Sequence, residues 1–240
     1  EHIEAIFEQV ASLQSDLHKL EGKLSGELNL CAVSSAQYAV PHLLRGFLQQ
    51  YPSVNVNLNI VNRTQAIERL NDNKEDLVIM GLVPNDRSLS SLPFLDNELI
   101  PVVPVHHPLA TKKHIHPQQF LDAQLLSRES GSGNRLALEQ HCQQQRLSLN
   151  VTMQFGSNDA LKHAVLAGLG VAVLPRLSVL SELLLGQLVS PVIKGFPLRR
   201  SWCLVSPQGK HATPVTQAFL EYIQTNLKEI HQYFQSLDVV

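Results

Sequence analysis

Ser127-Arg128-Glu129-Ser130-Gly131-Ser132-Gly133-Asn134-Arg135 follows a short apolar run, Ala123 to Leu126, and leads into a helix-like segment, Leu136 to Arg146. A strand that ends in a Ser/Gly turn and opens a helix leaves unpaired backbone N–H groups pointing one way. Together with the positive end of the helix they favour an anion. Gly131 and Gly133 are expected to let the backbone bend where a Cβ would obstruct it, and Ser127, Ser130 and Ser132 add hydroxyls. The same stretch also fits an ordinary capped helix start. A second unit of the kind lies upstream: strand-like Leu28 to Val33 runs into Ser34-Ser35 and then into a helix ending near Gln50. Two strand–serine–helix units suggest two halves facing one ligand.

The composition sets the class. The chain has 240 residues, 44% hydrophobic and 17% charged, with a formal net charge of −2. This describes a globular protein of one large or two small domains. No basic stripe is present, so the chain itself is a poor match for nucleic acid. Cys31, Cys142 and Cys203 are far apart and form no CxxC, which argues against a disulfide framework or zinc site and for a reducing cytosol. No apolar run is long enough to span a membrane, and no signal-like core opens the chain.

Residues 1–24 carry a heptad seam, Ile3, Ile6, Val10, Leu13, Leu17, Leu20 and Leu24, and are expected to form a helix that pairs with another chain. The alternative is an amphipathic helix lying on its own domain. The chain then reads β-α-β-α-β: Glu27 to Val33, Ala36 to Gln50 with Pro41 inside, Val54 to Val61, Gln65 to Asn71, and Asp76 to Met80. That order implies a parallel sheet with right-handed crossovers. Leu89 to Leu95 and Leu99 to Val105 are expected as two strands joined by a turn at Asp96-Asn97. The proline-flanked stretch Val103 to Leu109 reads as a crossing between domains. A second β-α-β-α-β set follows: Gln124 to Leu126, Leu136 to Arg146, Val151 to Phe155, Asn158 to Ala167, and Gly170 to Leu174, preceded by a short helix at Pro117 to Leu121. A weak hairpin near Leu188 to Ile193, a strand at Arg200 to Val205 and a last helix at Val215 to Leu227 complete the reading.

Catalytic constellations are missing. The glycines around Ser132 do not make a Gly-x-Ser-x-Gly elbow, Gly209-Lys210 lacks the upstream glycine of a phosphate-binding loop, and Gly168-Leu169-Gly170 precedes a strand. His106, His107, His114 and His116 are expected in a linker and a surface turn as solvated side chains. No metal or other cofactor is expected, and an enzyme is disfavoured.

Several stretches together carry a family resemblance. These are the heptad helix followed by Gly26-Glu27-Leu28; Pro41-His42-Leu43-Leu44 with Phe47 and Tyr51-Pro52; Asp76-Leu77-Val78-Ile79; His107-Pro108-Leu109; and Ala167-Gly168-Leu169-Gly170-Val171-Ala172-Val173-Leu174-Pro175. In their order and spacing the chain resembles the effector-binding half of the LysR-type transcriptional regulators, with its linker helix. Arg128 to Arg135 further resembles the branch that regulates carbon-fixation (RuBisCO operon) genes, which usually has Thr where this chain has Asn134.

The resemblance implies an α/β fold of periplasmic-binding-protein type, with two Rossmann-like subdomains and an N-terminal coiled-coil linker helix. The linker would be 1–24, the first subdomain 25–105 with 208–235, and the second 106–207. It also implies a cytoplasmic homodimer or homotetramer with no membrane contact. DNA would be read only through an N-terminal winged helix-turn-helix absent from this sequence. The partner is expected to be a small anionic metabolite held between the subdomains. The family's ligand positions map onto Ser34, Ser35, Gly81, Glu129, Ser130, Gly131, Ser157 and Asn158, with Arg128, Arg135 and His42 as candidate anion partners. Each has a local alternative: Ser34, Ser35 and Asn158 as helix caps, Gly81 as a turn. Glu129 suits an anion site only if it points away or pairs with an arginine. Ligand-driven closure, hinged near Pro104 and Ser206, would alter subunit packing. The rival reading is a transport-type solute-binding protein of the same fold, which the heptad helix disfavours.

Overall fold

The computed structural model describes residues 24–209 and 211–237. The predicted linker helix lies outside them except for Leu24, which is buried just ahead of the first strand. The chain divides into two compact units, one of residues 24–61, 66–95 and 203–237, the other of residues 62–65 and 96–202.

In the first unit, β1 (Ser25–Val33), β2 (Ser53–Val61) and β3 (Leu77–Met80) form a parallel sheet in the order β2-β1-β3. Ser25 is in register with Ser53, and Leu30 with Leu77. β1 is central, and Leu28, Leu30, Cys31 and Ala32 are inaccessible to solvent, as expected of a parallel strand covered on both faces. β3 also pairs, antiparallel, with β9 (Leu198–Pro207). The apolar face of helix α1 (Val40–Gln50) sets Phe47 edge-on to Phe219 of α7 (Pro214–Thr225), ring centroids 5.0 Å apart.

The helix expected over Ala36 to Gln50 does not run through Pro41. A 3-10 turn at Ala36–Tyr38 comes first, and α1 starts afresh with Pro41 in its first turn, where its missing N–H costs nothing. Helix α2 (Arg63–Asn71) begins two residues earlier than predicted. Asn62 and Gln65 cap it reciprocally: Gln65 N–H donates to Asn62 Oδ1 at 3.0 Å, and Asn62 N–H donates to Gln65 Oε1 at 3.2 Å.

The predicted turn at Asp96-Asn97 is absent. Leu89–Pro104 is one continuous strand, β4, which passes from the first unit into the second, as β9 passes back. In the second unit, β5 (Leu125–Arg128) lies between β6 (Val151–Phe155) and β7 (Val171–Pro175), parallel to both, and β7 pairs antiparallel with β4. Helices α3 (Pro117–Leu121), α4 (Gly133–Gln145) and α5 (Asn158–Leu166) fill the connections. The core joins Ile100, Val102, Leu126, Leu161, Val165, Ala172 and Leu174. Two helices were not foreseen: α6 (Arg176–Leu184), directly after Pro175, and α8 (Leu227–Ser236), after a break at Asn226. The expected hairpin near 188–193 reduces to β8 (Leu188–Val189), paired with Val103 and Pro104 of β4.

Candidate functional site

The quoted stretch folds as a strand end, a tight turn and a helix start. β5 ends at Arg128, Glu129 N–H donates to Phe155 O at 3.1 Å, and Ser132 N–H closes the turn on Glu129 O at 3.1 Å. α4 begins at Gly133, with Ser132 as its N-cap residue and no side-chain cap bond. Ser130 is exposed, Gly131 half-buried and Ser132 buried. The two glycines are not equivalent. Gly131 has φ +110°, a region L side chains rarely adopt, and an added Cβ would sit 3.0 Å from Thr64 Oγ1. Gly133 is an ordinary first helical residue with room for a Cβ, so only Gly131 meets the expectation.

The charges around the turn are already organised. Arg128 is 2% exposed. Its Nε donates to Glu129 Oε2 at 2.8 Å and its Nη2 to Glu129 Oε1 at 3.0 Å, a bidentate pair. Nη2 also donates to Gly156 O at 3.2 Å, and Nη1 to Asn158 Oδ1 at 2.7 Å. Asn134 Nδ2 donates to the same Asn158 oxygen at 3.1 Å. A buried guanidinium needs a counter-charge. Glu129, adjacent in sequence and 28% exposed at its side chain, supplies it. Arg128, one of the candidate anion partners, is thus buried and already paired, and Glu129 is the arginine-paired carboxylate that an anion site can tolerate. Asn158, at 0% exposure, is the buried hub between β5, α4 and α5. Ser157 is exposed, and its hydroxyl accepts Ala160 N–H at 3.0 Å as the cap of α5. Arg135 pairs with Glu139 one helical turn on and reaches Arg128 O at 3.4 Å.

The remaining candidates lie in the first unit. Ser34 N–H donates to Val61 O at 2.9 Å, and Ser35 is buried at the head of the 3-10 turn without a side-chain cap bond. Gly81 follows β3, but the positive φ of that turn falls on Leu82, at +49°. His42 is held by Tyr233: Nδ1 and Oη are 2.7 Å apart, and the rings 5.0 Å. It is committed to the α1–α8 surface.

The sequence reading passed over Asn62–Gln65. This segment belongs to the second unit, where Thr64 N–H donates to Gly131 O at 3.2 Å and the Arg63 side chain lies over Gly133. The legible signal was the Asn62/Gln65 capping pair. Two of the histidines expected as solvated side chains instead cap backbone: His107 Nδ1 accepts Leu109 N–H, and His116 Nδ1 accepts Gln118 N–H, both at 3.2 Å. Among the described residues, no group of three or more His, Cys, Asp or Glu side chains could hold a metal, and no helix is long and apolar enough to cross a membrane.

Comparison with known proteins matches this arrangement to one family. Residues 21–228 match the LysR substrate binding domain. The chain is 37% identical over 211 residues to the HTH-type transcriptional activator CmpR of Synechocystis sp., covering 88% of this chain and 69% of that protein. It is 38% identical over 218 residues to the RuBisCO operon transcriptional regulator of Acidithiobacillus ferrooxidans, covering 91% and 71%. The solved structure of the Synechocystis PCC6803 CcmR regulatory domain in complex with 2-PG superposes with a TM-score of 0.80 at 35% identity, covering 85% of this chain and 98% of that one. The chain is thus the effector-binding, periplasmic-binding-protein-like α/β region of a transcription regulator and belongs to the LysR family, alongside its carbon-fixation regulators.

Proposed function

We propose that this region senses a small metabolite carrying a phosphate or carboxylate, with Ser34-Ser35 after β1 and Ser130-Gly131 after β5 as its ligand-binding positions. The observation that carries this reading is the turn after β5. It offers an exposed hydroxyl and a helix start, and the neighbouring carboxylate is already neutralised by a buried arginine. The 2-PG complex of the CcmR regulatory domain, a relative at 35% identity, supports the same ligand chemistry. Asn158 and Asn134 act here by positioning: bonded to each other and to Arg128, they fix the end of β5 and the starts of α4 and α5.

A ligand preferring one arrangement of the units shifts the population toward it. In the homodimeric or homotetrameric regulator that shift passes to an N-terminal DNA-binding domain, the only part that contacts DNA. A thermal-shift screen with 2-phosphoglycolate, ribulose bisphosphate, phosphoenolpyruvate, 2-oxoglutarate and NADPH tests the ligand class. The expected result is a saturable rise in Tm with one of them, lost in both Ser34→Ala and Ser130→Ala. Full retention of the rise in the double variant would remove the site assignment.

A further inference from the structure

Arg128 is the one buried arginine or lysine among the described residues. It ends the strand that leads into the turn assigned above to the anion, and its bidentate partner Glu129 is partly exposed. Glu129 is 28% exposed at its side chain, whereas Asn158, whose Oδ1 also accepts from this guanidinium, is fully buried, and Gly156 O is a backbone acceptor. A carboxylate on two guanidinium N–H groups occupies the geometry that a ligand carboxylate or phosphate would take. We propose that Glu129 is an intramolecular competitor: it holds the Arg128 guanidinium in the free protein, and the anionic group of the effector takes its place as Glu129 turns out to water.

The inference rests on the anion-sensing reading and adds the identity of the cation and a selection rule. The exchange keeps an anion on the buried guanidinium throughout, because one replaces another, so Arg128 is never left uncompensated. It favours ligands presenting two oxygens in a fork over those with a single negative oxygen. It also sets affinity, since every ligand must displace a tethered carboxylate at high effective concentration. Arg135 lacks this arrangement: its partner Glu139 is 43% exposed on the same helix, an ordinary i,i+4 pair.

The test is titration of the whole chain with inorganic phosphate and with 2-phosphoglycolate, by calorimetry and thermal shift, using wild type, Glu129→Gln, Glu129→Asp, Glu139→Gln and Ser130→Ala. The exchange predicts that Glu129→Gln has a lower Tm without anion, is rescued by phosphate, and binds both anions at least about tenfold more tightly than wild type, about 1.4 kcal/mol. Glu129→Asp, too short for the same fork, falls between them. Glu139→Gln, which removes an equal charge nearby, leaves affinity unchanged. Equal or weaker anion binding by folded Glu129→Gln overturns the exchange, as does equal tightening by Glu139→Gln. If Ser130→Ala abolishes binding while Glu129→Gln does not tighten it, the anion site stands and the exchange falls. If neither wild type nor Glu129→Gln binds either anion, both fall.

Discussion

Arg128 shows how far one side chain can change role between sequence and fold. In the sequence it is one of three candidate anion partners, with Arg135 and His42. In the structure it is buried, forked onto Glu129 and bonded to Asn158. Arg128→Ala leaves the half-buried Glu129 without its counter-ion and Asn158 Oδ1 with one donor fewer. Chemical denaturation is expected to show a loss of about 3–5 kcal/mol, and a loss under 1 kcal/mol would show that the network adds little. The glycines of the turn give a paired contrast. Gly131→Ala forces a Cβ into φ +110° against Thr64 and should cost about 1–2 kcal/mol, whereas Gly133→Ala should be neutral or stabilising by up to about 1 kcal/mol. Sequence alone could not separate these glycines. Which residue carries the positive φ depends on where the helix starts, and β5 ran two residues further than its apolar run, through Ser127 and Arg128. The strand–turn–helix unit was legible; the pairing of Arg128 with Glu129 was not, because it depends on where α5 places Asn158.

At the scale of elements, the strand–helix alternation was readable because apolar runs and capping residues agree. Ser157, rather than its neighbour Asn158, caps α5, and Ser157→Ala should destabilise the second unit by about 1 kcal/mol in thermal or urea unfolding. The errors have physical causes. Asp96-Asn97 reads as a turn by composition, yet Asn97 is buried within β4 and the strand runs on. α6 follows a proline that fits a strand stop equally well as a helix start, and neither its first residue nor Pro175 offers a side-chain cap. α8 was missed because the last helix was read as ending at Leu227, and Asn226, which precedes α8, offers it no side-chain cap bond.

At the scale of the whole chain, pH is a lever. His141 on α4 is 8% exposed and packs edge-on to Phe196 at 5.0 Å; a Cβ on Gly195 would touch its ring. Its Nε2 is buried with no hydrogen-bond partner. Burial, and then the charge of Arg200, hold its pKa below the usual 6.5. The folded protein therefore takes up this proton less readily than the unfolded chain, so the stability from neutral His141 is present above about pH 6.5 and is lost as pH falls below it. Unfolding free energy measured between about pH 5 and 8 should decline on the acid side, and His141→Gln should flatten that decline. An unaltered slope in the variant would assign it to other groups. Binding should raise stability by mass action: free ligand at a hundred times Kd adds about 2.7 kcal/mol, and Tm should follow ligand concentration accordingly.

The three cysteines carry a practical consequence. Cys31, Cys142 and Cys203 are all buried. Burial, with nearby carboxylates, pushes the thiols of Cys31 and Cys142 up to about 11 and raises that of Cys203. At neutral pH almost no thiolate is present to attack an alkylating reagent. The native chain is thus a dark background for maleimide chemistry: a single cysteine introduced at exposed Lys112 would carry the fluorescent signal, with no native cysteine needing removal.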